Sequence, residues 1–460
     1  MGSSQHPILF VSSVGSGLIN TMLVLAGELS RRNVPDLWFA TDELRRSDVE
    51  SIDAGTPVEF FSLGEHHPDV LSENWDEETY RAVTQRSRFK ARRAIIAKNI
   101  DPRQRVPKYR KLEEAVEKIQ PALMVIDCMC QYGIELAITQ KIPYVLNVPF
   151  LPSNVLVSYV PFGKSYAPRD FPVPHSGLPH RQNLVQKLQN RLMQFRTIAM
   201  GLSSSMRKQW MEDAAVRKEL GIAPEVAGQF TRVERAELAL VHTVRELDYP
   251  TLSIPDNMAL VGAVLPPLPQ APGAELGEWL SAHDSVIYIG LGTNTRLTAD
   301  QVGAVVEVIR RLEGRYHVLW KLPESQQKWL PGDLPANVRI ESWVPSQLDV
   351  LAHENVKLFV GHAGGNGFSE GIHFGKPQVL RPMWVDTYDQ ARRGQDFGVS
   401  LTLDKPWELH AGDLLDKIER VLADDSFRVN AEKYARLFAE AGGRQRAADL
   451  ILGLPAMEQD

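Results

Sequence analysis

Short apolar runs and amphipathic segments alternate along the first half of the chain. Between Ile19 and Leu29, apolar residues recur at intervals of three or four, which predicts a helix. Apolar runs bounded by turn residues predict strands at 7–13, 36–42, 57–63, 121–127 and 142–148. A second amphipathic segment, 131–141, lies between the last two of these runs. This alternation predicts a parallel sheet with helices on both faces.

The same alternation restarts after a proline-rich stretch at residues 261–275. A helix is predicted near 298–312. Further strands are predicted at 285–291, 316–322, 338–343, 356–361, 377–382 and 399–403. We therefore predict two doubly wound α/β domains, 1–260 and 276–460, with the proline-rich stretch as a stiff linker. Ligands of such sheets lie at the carboxyl ends of the strands, so the two domains should face each other across a cleft.

Composition narrows the class of protein. A length of 460 residues fits two domains better than one core, and a net charge of -6 gives no reason to expect nucleic acid as a partner. We find no run of 18 apolar residues that could span a membrane, and no signal-peptide pattern at the N-terminus. Cys128 and Cys130 fit neither a disulfide nor a metal site. These features predict a cytoplasmic protein without a bound metal.

The most informative stretch follows the predicted strand 356–361, where a histidine and three glycines open a predicted helix. Glycines let the backbone approach a ligand closely, and a helix N-terminus offers free N–H groups to a phosphate. His362 can add a hydrogen bond or a positive charge, and Asn366 can donate from its amide. Glu370 lies one helical turn later and can accept both hydroxyls of a ribose, while Trp343 offers a flat surface for a base. A capped turn alone would explain the glycines but not these polar residues, so we predict a nucleotide site.

Residues 343–390 resemble the donor-sugar signature of the family 1 UDP-dependent glycosyltransferases, which have the GT-B fold. That signature runs W-x-P-Q, then a His, then H-x-G-x-N, a Glu and P-x-W-x-D-Q. With Ser346 as an inserted residue, the positions in register are Trp343, Pro345, Gln347, His353, His362, Gly364, Asn366, Glu370, Pro377, Pro382, Trp384 and Asp386. The stretch "SVIYIGLGT", which ends in Gly292 and Thr293, resembles the first strand of the family's donor domain.

The resemblance implies a role for each residue of the donor site. Trp343 is expected at the uracil, Gln347 at the uridine and Glu370 at the ribose. Those expected at the diphosphate are His362, Thr293, Asn366 and Gly367, and the donor-site set also includes Gly17 and Gly364. Those expected to face the sugar are Trp384 and Asp386, and the donor-site set also includes the next residue, Thr387, which is too short to reach sugar hydroxyls as an amide does. Thr387 replaces the Gln by which the family usually reaches sugar hydroxyls, so glucose is only the default sugar.

The turn after the first predicted strand, residues 16–23, resembles the family's Q-G-H-I-N-P-M-L segment, but Leu18 replaces the His. In the family, that His is the general base that takes the acceptor's proton, and an Asp orients it. Asp127 matches this Asp and is the candidate catalytic residue. The turn is not a dinucleotide site, because Asn20 occupies the third glycine position of G-x-G-x-x-G.

Three explanations account for the missing base. The acceptor could be acidic already, as a carboxylate or an acidic phenol is, and need no strong base. Another group could replace the base, the candidates being Asp127, His66, His67, His175 and His180. The chain could also be a weak or inactive relative of the family.

The resemblance implies an inverting, metal-independent UDP-glycosyltransferase. It would move a sugar from a UDP-sugar co-substrate to a small, largely apolar acceptor such as a phenol or a carboxylic acid, without a permanently bound cofactor. Attack opposite the leaving UDP would turn an α-linked donor into a β-glycoside. Two alternatives stay open: a sugar-nucleotide epimerase with the same architecture, and an auxiliary protein that keeps the fold without turnover.

Two segments of the predicted N-terminal domain are basic. Residues 81–111 carry twelve Lys or Arg and one acid, Asp101. Residues 155–208 are also basic, with apolar positions at helical spacing in 183–195. Such segments are commonly solvated helices. They could also form an electropositive entrance for the acceptor, or a surface in weak contact with anionic lipid.

Overall fold

A computed structural model describes residues 6–99, 102–268 and 273–458 of the chain. Within them, seven strands form a parallel sheet in the order β3-β2-β1-β4-β5-β6-β7. These strands are β1 (Ile8–Val11), β2 (Leu37–Thr41), β3 (Val58–Ser62), β4 (Leu123–Asp127), β5 (Tyr144–Val148), β6 (Leu238–Val241) and β7 (Met258–Leu260). The central strands β1, β4 and β5 are buried along their whole length, because helices cover both faces of the sheet.

A second parallel sheet has six strands in the order β10-β9-β8-β11-β12-β13. They are β8 (Val286–Gly290), β9 (His317–Lys321), β10 (Val338–Glu341), β11 (Val356–Gly361), β12 (Gln378–Leu380) and β13 (Ser400–Thr402). The strand order reverses between β1 and β4 in the first sheet and between β8 and β11 in the second, and ligands bind at such points. The predicted doubly wound α/β architecture is confirmed.

Helices fill the connections between the strands. Those of the first part of the chain are α1 (Ser16–Arg31), α2 (Arg46–Glu50), α3 (Glu77–Thr84), α4 (Arg88–Asn99), α5 (Arg105–Ile119), α6 (Gln131–Gln140), α7 (Pro152–Leu156), α8 (Leu184–Gly201), α9 (Ser204–Glu219) and α10 (Thr231–Glu234). Those of the second part are α11 (Ala274–Ser281), α12 (Ala299–Leu312), α13 (Glu324–Gln327), α14 (Gln347–Ala352), α15 (Gly365–His373), α16 (Thr387–Asp396), α17 (Ala411–Ala423), α18 (Asp425–Glu440) and α19 (Gly443–Leu452). The helix predicted near 298–312 corresponds to α12.

The sequence pattern does not reveal β6 and β7. Their apolar runs span only four and three residues, which is too short to separate a strand from a loop by periodicity. Both strands add in parallel beyond β5, so pairing with an existing sheet edge, rather than local pattern, determines them.

The first part of the predicted linker, 261–275, is packed against the protein. Val261 and Val264 are buried, and the Val261 carbonyl accepts a hydrogen bond from the Gly443 N–H at 2.7 Å. Residues 269–272 lie outside the described part of the chain. The packed part is fixed against the start of α19, so it can serve as a wall of the cleft.

The last helix, α19, packs on the first sheet's side of the molecule. Ala447 and Ile451 lie in the core beside α1, and Arg444 Nε is 3.0 Å from Glu28 Oε2. By sequence, α19 belongs to the predicted domain 276–460, but its apolar face completes the core of the other domain. The chain therefore crosses between the two domains twice.

Polar contacts hold the domains against each other. Arg393 of α16 donates to Asp248, with 2.9 Å between Nε and Oδ1, and both side chains are buried. Asp389 accepts hydrogen bonds from the backbone N–H groups of His175 and Gly177. Breaking a buried ion pair leaves an uncompensated charge, so these contacts favour one domain arrangement.

Five of the twelve basic residues in the stretch 81–111 pair with acids from outside it, namely Arg81, Arg103, Arg105, Lys108 and Arg110. For example, Arg105 pairs with Glu135, and Lys108 pairs with Asp42. These acids lie outside the stretch in sequence, so its local composition overstates the charge of this surface.

Two arginines of the same stretch point inward. The guanidinium carbons of Arg88 and Arg92 lie 4.6 Å and 4.0 Å from the ring centroids of Tyr388 and Tyr159. Burial lowers the pKa of both arginines. Asp101, the one acid of the stretch, lies outside the described residues. The stretch therefore uses much of its charge inside the fold and not as an open electropositive entrance.

Candidate active site

The predicted donor-site turn lies at the carboxyl end of β11, where α15 begins. Gly364 precedes the first residue of α15 in an extended conformation. A Cβ at Gly365 would collide with the Pro149 carbonyl oxygen, so only glycine lets α15 approach the first domain this closely. Gly292 has a φ of +81°, and its missing side chain makes room for the His362 ring. The turn thus presents a helix N-terminus at the domain boundary, which favours a bound anion.

A cavity of about 320 Å³ lies between the two domains next to this turn. Three predicted donor-site residues line it, namely Gln347, Asn366 and Glu370. The facing wall comes from Asn20 of α1 and from linker residues 263–266. The sequence analysis did not assign the linker to the site, because linker and turn meet only through the packing of the two domains.

Hydrogen bonds fix the carboxylate of Glu370 in this cavity. Gln347 Nε2 donates to Glu370 Oε2 at 2.6 Å, and the Tyr288 hydroxyl donates to Gln347 Oε1 at 3.0 Å. Burial raises the pKa of Glu370, while the Gln347 amide and the Lys321 ammonium act in the opposite direction. Gln347 therefore orients Glu370, which can accept two neighbouring hydroxyls.

Lys321 was not singled out by its sequence pattern, yet it lies beside the predicted donor-site residues Trp343 and Glu370. It ends β9, and its Nζ lies 3.9 Å from the ring centroid of Trp343, whose side chain is 60% exposed. Burial lowers the pKa of Lys321, and its charge acts on Glu370 and His362. One feature of the sequence does point to Lys321. It directly follows the apolar run "HVLW" at the end of a strand, where ligands of such sheets bind.

His362 is neutral at physiological pH. Burial and the Lys321 ammonium lower its pKa to about 4. Of the two contributions expected from the sequence, this environment favours the hydrogen bond over the positive charge. The positive charge of the site comes from Lys321 and from the N-terminus of α15.

Trp384 and Asp386 follow β12 at the same edge of the sheet. The Trp384 ring packs edge-on against Tyr80 of the first domain, with 6.3 Å between centroids. Burial, together with the charge of Asp389, raises the pKa of Asp386 to about 7. Asp386 can therefore change its charge near neutral pH.

The side chain of Thr387 is turned into the fold, so a contact between its hydroxyl and a donor sugar stays a prediction without support from this geometry. Its side chain is buried, and its hydroxyl donates to the Trp384 carbonyl and accepts from the Met383 N–H. These bonds close the turn from which α16 starts. The family's Gln could reach a sugar at this position, whereas Thr387 forms hydrogen bonds within its own turn instead.

The remaining predicted residues lie along the same edge. Asn366 Nδ2 is 3.4 Å from the carbonyl oxygen of Gly17, so the two domains meet there. Gly367 faces the Gln347 amide, and Thr293 is exposed in the loop after β8. The structure thus brings residues of both predicted turns together at one boundary.

Asp127 ends β4 and is fully buried, so it is not a base that an acceptor could touch directly. Its Oδ2 accepts hydrogen bonds from the Ser13 N–H at 2.6 Å and the Ser13 hydroxyl at 2.7 Å. The Ser12 hydroxyl, at 3.1 Å, and the Met129 N–H, at 2.8 Å, also donate to this carboxylate. Ser13 is partly exposed, as is Leu18 of α1. Ser13, which the sequence analysis missed, therefore offers a route by which a proton reaches Asp127.

The alternative histidines lie elsewhere. His175 packs against Tyr159 with 5.6 Å between ring centroids, and burial and Arg92 lower its pKa to about 3. His180 packs against Tyr249, with centroids 4.8 Å apart. Within the described residues, no hydrogen bond joins Asp127 to any of the four, His66, His67, His175 and His180.

Across residues 6–99, 102–268 and 273–458, no group of three or more His, Cys, Asp or Glu side chains could hold a metal ion. In the same part of the chain, no helix is both long and apolar enough to cross a membrane.

The chain has the GT-B class of glycosyltransferase fold, in which two doubly wound domains face each other. The chain belongs to the family described as "UDP-glucoronosyl and UDP-glucosyl transferase", whose model matches residues 61–441. The matched range includes the donor-site turn and all of the second sheet.

Curated relatives are similar at low identity. UDP-glucuronosyltransferase 2A1 of Mus musculus is 25% identical over 346 residues, which cover 72% of this chain and 60% of that protein. UDP-glucosyltransferase 2 of Dactylopius coccus is 27% identical over 60% of this chain and 52% of that protein. The chain thus spans about 60% or less of the length of these relatives.

Solved structures are similar over nearly the whole chain. The glycotransferase of kitacinnamycin has a TM-score of 0.72 at 19% identity, over 98% of this chain and 100% of that one. UDP-glucose:anthocyanidin 3-O-glucosyltransferase, solved in complex with UDP, has a TM-score of 0.62 at 18% identity, over 99% of both chains. At these identities the likeness shows the fold.

Proposed function

We propose that this protein is an inverting glycosyltransferase that moves a sugar from a UDP-sugar to a small, largely apolar acceptor. The observation that carries the proposal is the inter-domain cavity, where the Gln347–Glu370 pair lies beside the N-terminus of α15. Glu370 would hold the ribose, and Trp343 would stack on the uracil. The helix N-terminus, His362 and Lys321 would surround the diphosphate.

In the proposed reaction, the acceptor oxygen attacks the anomeric carbon from the face opposite UDP. The new carbon–oxygen bond forms as the bond to the β-phosphate oxygen breaks, which inverts the anomeric centre. Negative charge grows on UDP, and preorganised donors and cations aimed at that charge lower the barrier. Holding both substrates in one cleft contributes the rest through orientation.

We propose that the acceptor's proton leaves through Ser13. The acceptor hydroxyl would give its proton to the Ser13 oxygen as the Ser13 proton passes to Asp127 Oδ2, 2.7 Å away. This pair would replace the family's histidine, which Leu18 displaces. An acidic acceptor such as a carboxylic acid would need no such step, so both kinds of acceptor are compatible with the site.

We propose glucose as the default sugar, bound as a UDP-sugar co-substrate without a permanently bound cofactor. Trp384 and Asp386 would face its hydroxyls. One relative reported above is named as a glucuronosyltransferase and the other as a glucosyltransferase. We also propose a cytosolic location, which the two buried free cysteines, Cys128 and Cys130, support because reduced thiols are typical of that compartment.

The pKa of Asp386 predicts a pH dependence. A carboxylate accepts hydrogen bonds from sugar hydroxyls better than a neutral carboxyl group does. We therefore expect kcat/KM for the UDP-sugar to fall as the pH drops through about 7, the raised pKa of Asp386. The measurement is a pH–rate profile from pH 5.5 to 9 for wild type and Asp386→Asn. In the variant the rate should be lower and this limb flat, whereas an unchanged limb would assign the titration to another group.

The proposed function is tested by UDP release in the presence of EDTA. We expect release that depends on an acceptor, measured with a panel of UDP-sugars against phenols, acids and sterols. Interconversion of the UDP-sugar without an acceptor would instead indicate an epimerase. Binding of UDP without any turnover would indicate an auxiliary protein, and an absolute need for a divalent metal would contradict the proposed metal-free stabilisation of UDP.

A further inference from the structure

Helix α8 carries its apolar side chains on the outside. Leu184, Leu188 and Phe195 are 85%, 67% and 61% exposed, whereas the polar Asn190 and Gln194 are buried. A surface helix of a globular protein ordinarily has the reverse pattern. Met193 is the third buried residue of α8, and Asn190 serves the backbone, because its side chain accepts from one loop N–H and donates to a loop carbonyl.

The exposed apolar residues form one continuous surface. Leu184, Leu188, Leu192 and Phe195 follow one another at intervals of four, four and three, which puts them on a single stripe. Trp210 of α9 extends the stripe, because it packs over Gly201 at the end of α8 and is still 55% exposed. We call these side chains, together with Leu202, the α8–α9 face.

Basic residues dominate the sequence of the α8–α9 face, and the next two acids along α9, Glu212 and Asp213, pair with Arg103 and Arg105. Residues 171–211 contain six Lys or Arg and no Asp or Glu. On the helical wheel, Lys187 and Arg191 border one side of the stripe and Arg196 borders the other. Long basic side chains can lie along an apolar surface while their charged ends reach outward.

We propose that the α8–α9 face binds the surface of a lipid bilayer that contains anionic headgroups. Helices that lie in the membrane interface typically carry leucine, phenylalanine and tryptophan on one side and lysine and arginine at the edges. A second copy of the chain is a poorer occupant, since a symmetric contact would bring two faces of the same charge together. The proposal concerns binding alone and does not depend on the proposed reaction.

The position of the face suggests a use. α8 packs on α4, where Arg92 donates to Thr197 at 3.3 Å. The neighbouring Arg88 of α4 reaches Tyr388 of the second domain. The face therefore lies on the first domain, which would bind the acceptor. If the proposed function holds, an apolar acceptor could pass from the bilayer to the cleft without crossing bulk water.

The test is flotation of the full chain with two kinds of vesicle, phosphatidylcholine alone and phosphatidylcholine with 30 mol% phosphatidylglycerol. We expect binding to the anionic vesicles that weakens as salt rises. Replacing Leu188, Leu192 and Phe195 with serine should reduce that binding by about tenfold or more. The Lys187→Gln/Arg191→Gln variant should reduce it similarly, and more at low salt than at high salt.

A matched control comes from the second domain, where Leu334 and Val429 are also exposed, at 41% and 51%. Their replacement with serine should leave vesicle binding unchanged. All variants change exposed side chains, so thermal unfolding should match wild type. Equal binding of wild type and the triple variant, or no binding to either vesicle, would overturn the proposal. Concentration-dependent dimers that the triple variant abolishes, without vesicle binding, would assign the face to self-association instead.

Discussion

Replacing Lys321 with methionine is expected to lower kcat/KM for the UDP-sugar by about 10²–10³-fold. UDP gains negative charge as it leaves, and His362 is neutral because its pKa is about 4. The positive charge that we propose at the diphosphate therefore comes from the Lys321 ammonium and the N-terminus of α15. Methionine keeps the length and the apolar stem, so the contact with Trp343 and the fold should persist. The measurement is steady-state kinetics in the donor, with thermal unfolding as the check on folding.

The chain offers a matched control for this prediction. Lys328 also lies over a tryptophan, with its Nζ 4.9 Å from the ring centroid of Trp329, whereas the cation whose charge acts on Glu370 and His362 is Lys321. Lys328→Met should leave kcat/KM within about twofold of wild type, and Lys321→Arg should retain much of the activity because it keeps the charge. A folded Lys321→Met enzyme as active as the Lys328 variant would show that the charge at the diphosphate comes from elsewhere.

Replacing Ser13 with alanine is expected to slow transfer to neutral alcohols by about 10²–10⁴-fold, the usual range of general base catalysis. Asp127→Asn should have a similar effect, and the double variant should be no worse than either single one, because both residues act on one proton. Transfer to a carboxylic acid should change little, since its carboxylate has no proton to lose. The measurement is kcat/KM for matched alcohols, phenols and acids.

Ser12 separates this proton route from a structural role. Its hydroxyl donates to the same Asp127 carboxylate, at 3.1 Å, but its side chain is fully buried. Ser12→Ala removes a bond to Asp127 without touching the exposed path, so alcohol transfer should change far less than in Ser13→Ala. Leu18→His should improve alcohols selectively. Equal effects of the Ser12 and Ser13 variants on all acceptors would mean that Ser13 only supports Asp127.

The donor turn was readable from sequence, because its chemistry is local. His362, Asn366 and Glu370 lie within nine residues of one strand-to-helix turn, and their order determines which groups reach a ligand there. Lys321 and the linker wall were not readable. They belong to segments far from the turn in sequence, and only the pairing of β9 with β8 and the packing of the two domains bring them to it.

Two other outcomes show what periodicity leaves open. The spacing of apolar residues in 183–195 predicts a helix, and α8 is that helix, but spacing does not say which face is buried. The buried face was determined by Asn190, which satisfies loop backbone groups. Similarly, the residue type at Thr387 does not show that its hydroxyl bonds to its own turn.

The most direct test of the central claim is the anomeric configuration of the product. An α-linked UDP-hexose that supports turnover would be incubated with an acceptor, and the product's anomeric proton read by NMR alongside the amount of UDP released. The account predicts a β-linked product and one UDP for each glycoside formed. An α-linked product, or UDP released without a glycoside, would contradict attack from the face opposite UDP and with it the arrangement of the cleft described above.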